Sequence, residues 1–160
     1  MEELESTLVS IHCHTHNVWS RKASQLSQLF CLYYSAFARK HNLLFIPSVS
    51  PGYLDTRIRP WNTKATRSRR KGSYYDLSWR TFQELQGLKI VSITSFNEWH
   101  EGTQIEPAIE KSTAPAENQT YTYRYQTYNP HSSDFYMLKT KDWIEKLFLS
   151  TVPEDKNEDP

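Results

Sequence analysis

Two glutamates three residues apart, Glu98 and Glu101, sit in the stretch SITSFNEWHEGTQIEPA from Ser92 to Ala108. A carboxylate pair flanking a glycosidic bond is the usual requirement for hydrolysing it. One group hands a proton to the leaving oxygen, and the other is an ionised base or nucleophile. The residues before the pair are apolar and β-branched, so the pair falls at a strand's C-terminal end, where parallel α/β folds collect their chemistry. Residues three apart on a continuous strand face opposite sides, because the side-chain period is two. Joint action on one bond therefore requires the chain to turn between Glu98 and Glu101, and Gly102 is placed to help. Asn97 and Trp99 add a polar group and a ring. Two blander readings fit the same residues. The glutamates could be solvated loop residues, or His100 could join them around a metal. The metal reading lacks the second histidine of the helical zinc motif, and this segment runs from strand to loop.

Several elements must hold that stretch in place. Arg21 to Lys40 reads as a helix, with Leu26, Leu29, Phe30, Tyr33, Tyr34 and Phe37 recurring at three and four. Leu43 to Val49 is a short apolar run ending in Ser50-Pro51-Gly52, the profile of a buried strand entering a turn. Arg57 to Lys71 reads as a basic loop. Tyr74 to Leu85 forms a second helix closed by Gly87. Lys89 to Phe96, KIVSITSF, is the clearest strand, and Phe135 to Ser150 a third amphipathic helix. Residues 151–160 are rich in proline and acid and read as a disordered tail. Helix, strand, helix, strand, helix argues for an α/β fold with a parallel sheet. Parallel strands need neighbours on both edges, and a (β/α)8 barrel takes roughly 250 residues, so the chain reads as a fragment of one.

Composition narrows little. The 160 residues carry a formal net charge of +1, which writes no general nucleic-acid affinity into the total. Ten tyrosines and five tryptophans suit sugar rings and packed cores equally. Two cysteines, Cys13 and Cys31, are too few for a disulfide framework. No apolar run approaches the ~18 residues of a membrane span, and no signal-peptide pattern follows Met1. Asn118-Gln119-Thr120 is a glycosylation sequon, which places Asn118 in a surface loop of a lumenal protein if it is used.

Three other clusters invite functional readings. His12, His14 and His16 would share one face of an extended segment, a metal-site pattern for which no later acidic partner stands out. Arg57, Arg59, Lys64, Arg67, Arg69, Arg70 and Lys71 form a basic run near Trp61, read as a solvated, partly sugar-facing loop rather than a nucleic-acid site. Tyr121, Tyr123 and Tyr125 alternate as in a strand and make either a sugar platform or a packed hairpin.

FNEWHEGTQIEPA, together with FIPSVSPGYLDTRIRPWN from Phe45 to Asn62, closely resembles glycoside hydrolase family 99, whose animal members are Golgi endo-α-1,2-mannosidases. The likeness runs from about His41 to Ser150, in the family order. It implies the C-terminal strands and helices of a (β/α)8 TIM barrel over residues 41–150, behind a divergent N-terminal segment, residues 1–40, that carries a helix.

The resemblance implies roles as well. Glu98 matches a base acting on the sugar 2-hydroxyl, and Glu101 the general acid/base that protonates the leaving oxygen and later activates water. Retention would pass through a 1,2-anhydro sugar. Tyr53, Arg59 and Asn97 match substrate-cleft positions. The expected substrate is a glucosylated high-mannose N-glycan on glycoproteins, in the Golgi lumen or at its membrane. No metal or other cofactor is expected, since two glutamates suffice for acid/base chemistry. Ser50 stands where a glycine is more typical. The family's earlier barrel strands and its membrane anchor have no counterpart here, so the alternative expectation is an inactive carbohydrate-binding or interaction remnant.

Overall fold

The computed structural model describes residues 21–85, 87–109 and 125–149. Helix α1 spans Arg21–Lys40, strand β1 Ser48–Val49, helix α2 Ser73–Arg80, strand β2 Ser92–Ile93 and helix α3 Phe135–Ile144. Short 3₁₀ turns cover Thr63–Ala65 and Arg70–Gly72, and a π turn, Glu145–Leu149, extends α3. The expected alternation of helices and strands is therefore present. The histidine run at 12–16, the sequon at Asn118, the tail at 151–160 and most of the alternating tyrosines lie outside the described residues.

The two strands pair in parallel, Ser48 with Ser92 and Val49 with Ile93. Pro47 O accepts from Ser92 N and Val49 O from Thr94 N, both at 2.8 Å. The Ser48 and Thr94 hydroxyls add a cross-strand bond of 2.7 Å. Chain segment 50–91, with α2 in it, makes the crossover that a parallel pair demands. Both strands are shorter than their apolar runs. A ladder is defined by pairing, and among the described residues β2 has β1 as its one partner strand. Beyond Thr94 the chain bonds instead to its own returning limb, Ser95 N donating to Thr103 O and Phe96 O accepting from the amides of Ile105 and Glu106. Ile90 and Phe96 are exposed. No closed barrel exists among the described residues.

Aromatic side chains make most of the core. Tyr75, Trp79 and Phe82 of α2 and its C-terminal turn are buried against Tyr136 and Trp143 of α3. Trp79 and Trp143 stack at 6.2 Å with planes 4° apart, and Tyr75 meets Tyr136 edge to face at 5.5 Å. Offset stacking and edge-to-face contact are the arrangements the ring quadrupole favours. Several polar atoms in this layer are matched, while the buried Trp79 Nε1 has no hydrogen-bond partner among the described residues. The Tyr75 and Thr140 hydroxyls bond at 2.9 Å, while Asp76 accepts from Lys139 Nζ at 2.7 Å and Trp143 Nε1 at 2.9 Å. α2 ends near Arg80 rather than Leu85; Phe82 and Leu85 remain buried in the turn that follows.

Helix α1 buries its small residues. Cys31, Ser35 and Ala38, at i, i+4 and i+7, point inward, and Cys31 and Ala38 join Phe45 and Val49 in the core. Leu29, Phe30, Tyr33 and Phe37, four of the six residues whose spacing marks the helix, are exposed, while Tyr34 packs against the core. Among the described residues no helix is long and apolar enough to cross a membrane.

Candidate active site

The segments leaving the C-terminal ends of β1 and β2 meet. After β2 the chain runs to Asn97, then reverses through Trp99–Gly102. Gly102 N donates to Trp99 O at 3.1 Å and Thr103 N to Glu98 O at 3.2 Å, which closes the loop. Ser95 N bonds to Thr103 O at 3.0 Å, so the two limbs run side by side. This is the turn that joint action of Glu98 and Glu101 requires. Gly102 makes it possible with φ +61, a left-handed conformation that side chains resist. A Cβ there would also stand 3.2 Å from both Leu54 N and Leu54 O.

Glu98 is exposed on the first limb. Its amide donates to Ser95 Oγ at 2.8 Å, and its carboxylate Oε1 accepts from His100 N at 3.1 Å, bending back over the turn. Asn97 is exposed beside it, its carbonyl accepting from Trp99 N. Trp99 Nε1 donates to Glu106, and its ring meets Tyr125 edge to face at 5.7 Å. Tyr125 in turn carries the Arg57 guanidinium over its face at 4.3 Å.

Glu101 closes the turn onto the β1 loop. Its carbonyl accepts from Leu54 N at 2.8 Å, and its carboxylate lies 3.5 Å from Arg59 Nη1. The same Arg59 nitrogen donates to Asp55 Oδ2 at 3.0 Å. Asp55, whose side chain has no exposed surface, also accepts from the Tyr53 hydroxyl at 2.8 Å and from Asn62 Nδ2 at 2.9 Å. Three side chains of PGYLDTRIRPWN thus converge on one buried carboxylate that sequence reasoning left unassigned. Its only signal was its place in the motif. Burial alone would push the Asp55 carboxyl up. Hydrogen bonds from Asn62, Arg59 and Tyr53 outweigh that and hold it below its usual 3.8. The Tyr53 phenol moves the other way. Burial, the bond to Asp55 and the negative charges of Asp55 and Glu101 push it up to about 12, so it remains a hydrogen-bond donor at neutral pH.

The basic run is only partly the solvated loop expected of it. Arg67 and Arg69 are buried, at 8% and 4% exposure. Arg67 pairs its backbone with Tyr53 in an antiparallel bridge. Arg69 passes beneath the site, where Nη2 donates to Gly102 O at 3.1 Å and Gln104 O at 2.8 Å. Its guanidinium carbon lies 5.0 Å from the Tyr128 ring centroid and 4.7 Å from that of Tyr136. Gly52 leaves the room for this, since a Cβ there would come within 2.9 Å of Arg69 Cγ and Arg67 O.

Known proteins share this arrangement of chain. The model of Glycosyl hydrolase family 99 matches residues 21–149. A glycoprotein endo-α-1,2-mannosidase of Rattus norvegicus is 50% identical over 111 residues, covering 69% of this chain and 22% of its own length. One from Xenopus laevis is 51% identical over 110 residues, covering 69% and 23%. The solved family 99 endo-α-mannosidase of Bacteroides thetaiotaomicron, in complex with BIS-TRIS-propane, superposes with a TM-score of 0.69 at 40% identity, covering 85% of this chain and 39% of that one. The chain therefore spans under a quarter of the length of the curated relatives it matches. A family match that takes in all three helices, both strands and the turn bearing the glutamates establishes that this chain belongs to Glycosyl hydrolase family 99.

Proposed function

We propose that this chain carries the acid–base segment of an endo-acting, retaining α-mannosidase that cleaves an α-1,2-mannosidic bond in glucosylated high-mannose N-glycans. The observation that carries the reading is the Trp99–Gly102 reversal, which turns Glu98 and Glu101 out of strand alternation and sets Glu101 beside Arg59. In this scheme Glu98 takes the proton of the sugar 2-hydroxyl, whose oxygen attacks the anomeric carbon. Glu101 protonates the departing oxygen, and a 1,2-anhydro sugar results. Glu101 then removes a proton from water as it opens that ring and Glu98 returns its proton to the 2-oxygen, which restores both carboxyl groups and the original configuration. Tyr53, Arg59 and Asn97 contact the sugar: Tyr53 with a ring face and a hydroxyl, Arg59 with a forked donor, Asn97 with an amide. The segment belongs to a (β/α)8 barrel working in the Golgi lumen, with the N-glycan as partner and no metal in the reaction.

Purified chain incubated with a glucosylated high-mannose glycan, alongside Glu101→Gln and a far-ultraviolet circular dichroism spectrum, tests this. Release of a glucose-capped mannose product, lost in the variant, supports it. A folded chain that binds the glycan without cleaving it would replace it with the carbohydrate-binding remnant.

A further inference from the structure

Arg59 has two carboxylates within reach and treats them unequally. It donates a hydrogen bond to Asp55 Oδ2 at 3.0 Å, whereas Glu101 Oε1 lies at 3.5 Å with no hydrogen bond between them. Asp55 is fully buried and held by Tyr53 and Asn62 as well, so it is the fixed partner. Glu101, on the rim with its side chain one-third exposed, is the movable one. An arginine committed wholly to a carboxylate holds it in the ionised form. That would oppose a group whose first task is to deliver a proton.

We propose that Asp55 is a positioning residue that anchors the Arg59 guanidinium and withholds it from a full ion pair with Glu101, leaving Glu101 free to carry the proton the leaving oxygen needs. The inference rests on the acid–base role proposed for Glu101. Its geometry stands without it. Tyr53 and Arg59 from the β1 loop interact electrostatically with Glu101. Asp55 is held by that same Arg59, Glu98 and His100 share the turn, and Arg69 binds the Gly102 carbonyl beneath it. Asp55 is the one whose loss both removes a negative charge and frees a positive one, and both changes favour ionised Glu101. Tyr53 has a second function under this scheme. Its hydroxyl donates to the same Asp55 oxygen as Arg59, which fixes that carboxylate as the anchor.

The test follows the Glu101 carboxyl by carbon-13 NMR in glutamate-labelled protein, assigned with Glu101→Gln, in wild type and Asp55→Asn. The proposal expects the Glu101 titration midpoint to fall by roughly one pH unit in D55N, the lower end of what a neighbouring arginine does. If the glycan is cleaved, the alkaline limb of the kcat/KM profile should move by the same amount, which a merely structural Asp55 would not cause. An unchanged midpoint in folded D55N overturns the proposal. Should D55N not fold, the wild-type protein decides alone. Arg59 side-chain nitrogen resonances should stay still while Glu101 titrates, and resonances that track Glu101 overturn the anchoring. Neither NMR readout needs turnover, so failure of the proposed activity is seen separately, as a wild type that titrates as expected yet cleaves nothing.

Discussion

Arg69 lies directly beneath Gly102, donating through Nη2 to the carbonyl of the residue that follows Glu101. The same nitrogen reaches Gln104 O, and two tyrosine rings flank the guanidinium. One buried side chain from the loop before α2 thereby holds the end of the glutamate turn and its returning limb. Its Nε and Nη1 have no hydrogen-bond partner among the described residues. The rings and two carbonyls must compensate a buried charge, as hydrogen bonds to charged groups can.

Arg69→Met should destabilise the fold by about 2–4 kcal/mol, the loss of two charge-assisted bonds set against relief of burying a charge. Urea unfolding followed by tryptophan fluorescence measures this. Arg69→Lys should recover only part of the loss, because a single ammonium cannot reproduce the planar donor edge. A lysine variant as stable as wild type would mean charge alone matters.

The contrast between these two arginines shows what was legible in the chain. Arg59 could be read from its motif, but Arg69 looked like one more cation in a run. Nothing in sequence says that it is buried under Tyr128 and Tyr136. The helix–strand order was legible because periods of two and 3.6 are written in the chain. The lengths of β1 and β2 were not, since a ladder depends on what lies alongside. The requirement that Glu98 and Glu101 be separated by a turn followed from strand alternation and is met at Trp99–Gly102. Asp55 was missed because a lone acid carries no local mark of the three donors that reach it. On α1, periodicity marked a helix but not which of its faces is buried, which the rest of the fold decides.

Gly102→Ala should be costly for two separable reasons. A left-handed conformation costs a residue with a Cβ roughly 1–2 kcal/mol, and the new methyl would press on Leu54 N and O at 3.2 Å. The Leu54 N to Glu101 O bond lies at that same contact. Hydrogen exchange should therefore quicken at the Leu54 amide more than at amides of α3. Equal protection at both would mean that the turn yields without disturbing the β1 loop.

Trp79→Ala removes the ring that stacks on Trp143 and borders Tyr75. A large-to-small change at a site 1% exposed should cost about 3–5 kcal/mol. The urea midpoint measures it, and a loss below about 1 kcal/mol would mean that α2 and α3 repack around the gap.

Leu29, Phe30, Tyr33 and Phe37 make an apolar stripe exposed on α1. Such patches bind hydrophobic dyes and promote association. The protein should enhance the fluorescence of an anilinonaphthalene dye at neutral pH, and Leu29→Glu with Phe37→Lys should lower it without shifting the circular dichroism spectrum. An unaltered dye signal would place the dye elsewhere, such as near Ile90 and Phe96.

Asp55 gives the fold an acid sensitivity with a definite sign. Its carboxyl is held below the usual 3.8, so the folded state binds its proton less readily than the unfolded chain does. The stabilisation this provides is fully present above that value. It is lost as pH falls from there through the folded-state value, where the native carboxyl takes up a proton as well. Tyr53 acts at the other end. With a folded value of about 12 against 10.0 in the unfolded chain, its contribution is complete below pH 10 and fades as pH rises toward 12. Stability against urea should therefore decline below about pH 4 and again above about pH 10. Asp55→Asn should flatten the acid side, since the variant has no carboxyl to protonate there. It should also advance Tyr53 ionisation in a spectrophotometric titration, because a neighbouring negative charge no longer opposes it. An acid slope that survives in D55N would assign the sensitivity to groups other than Asp55.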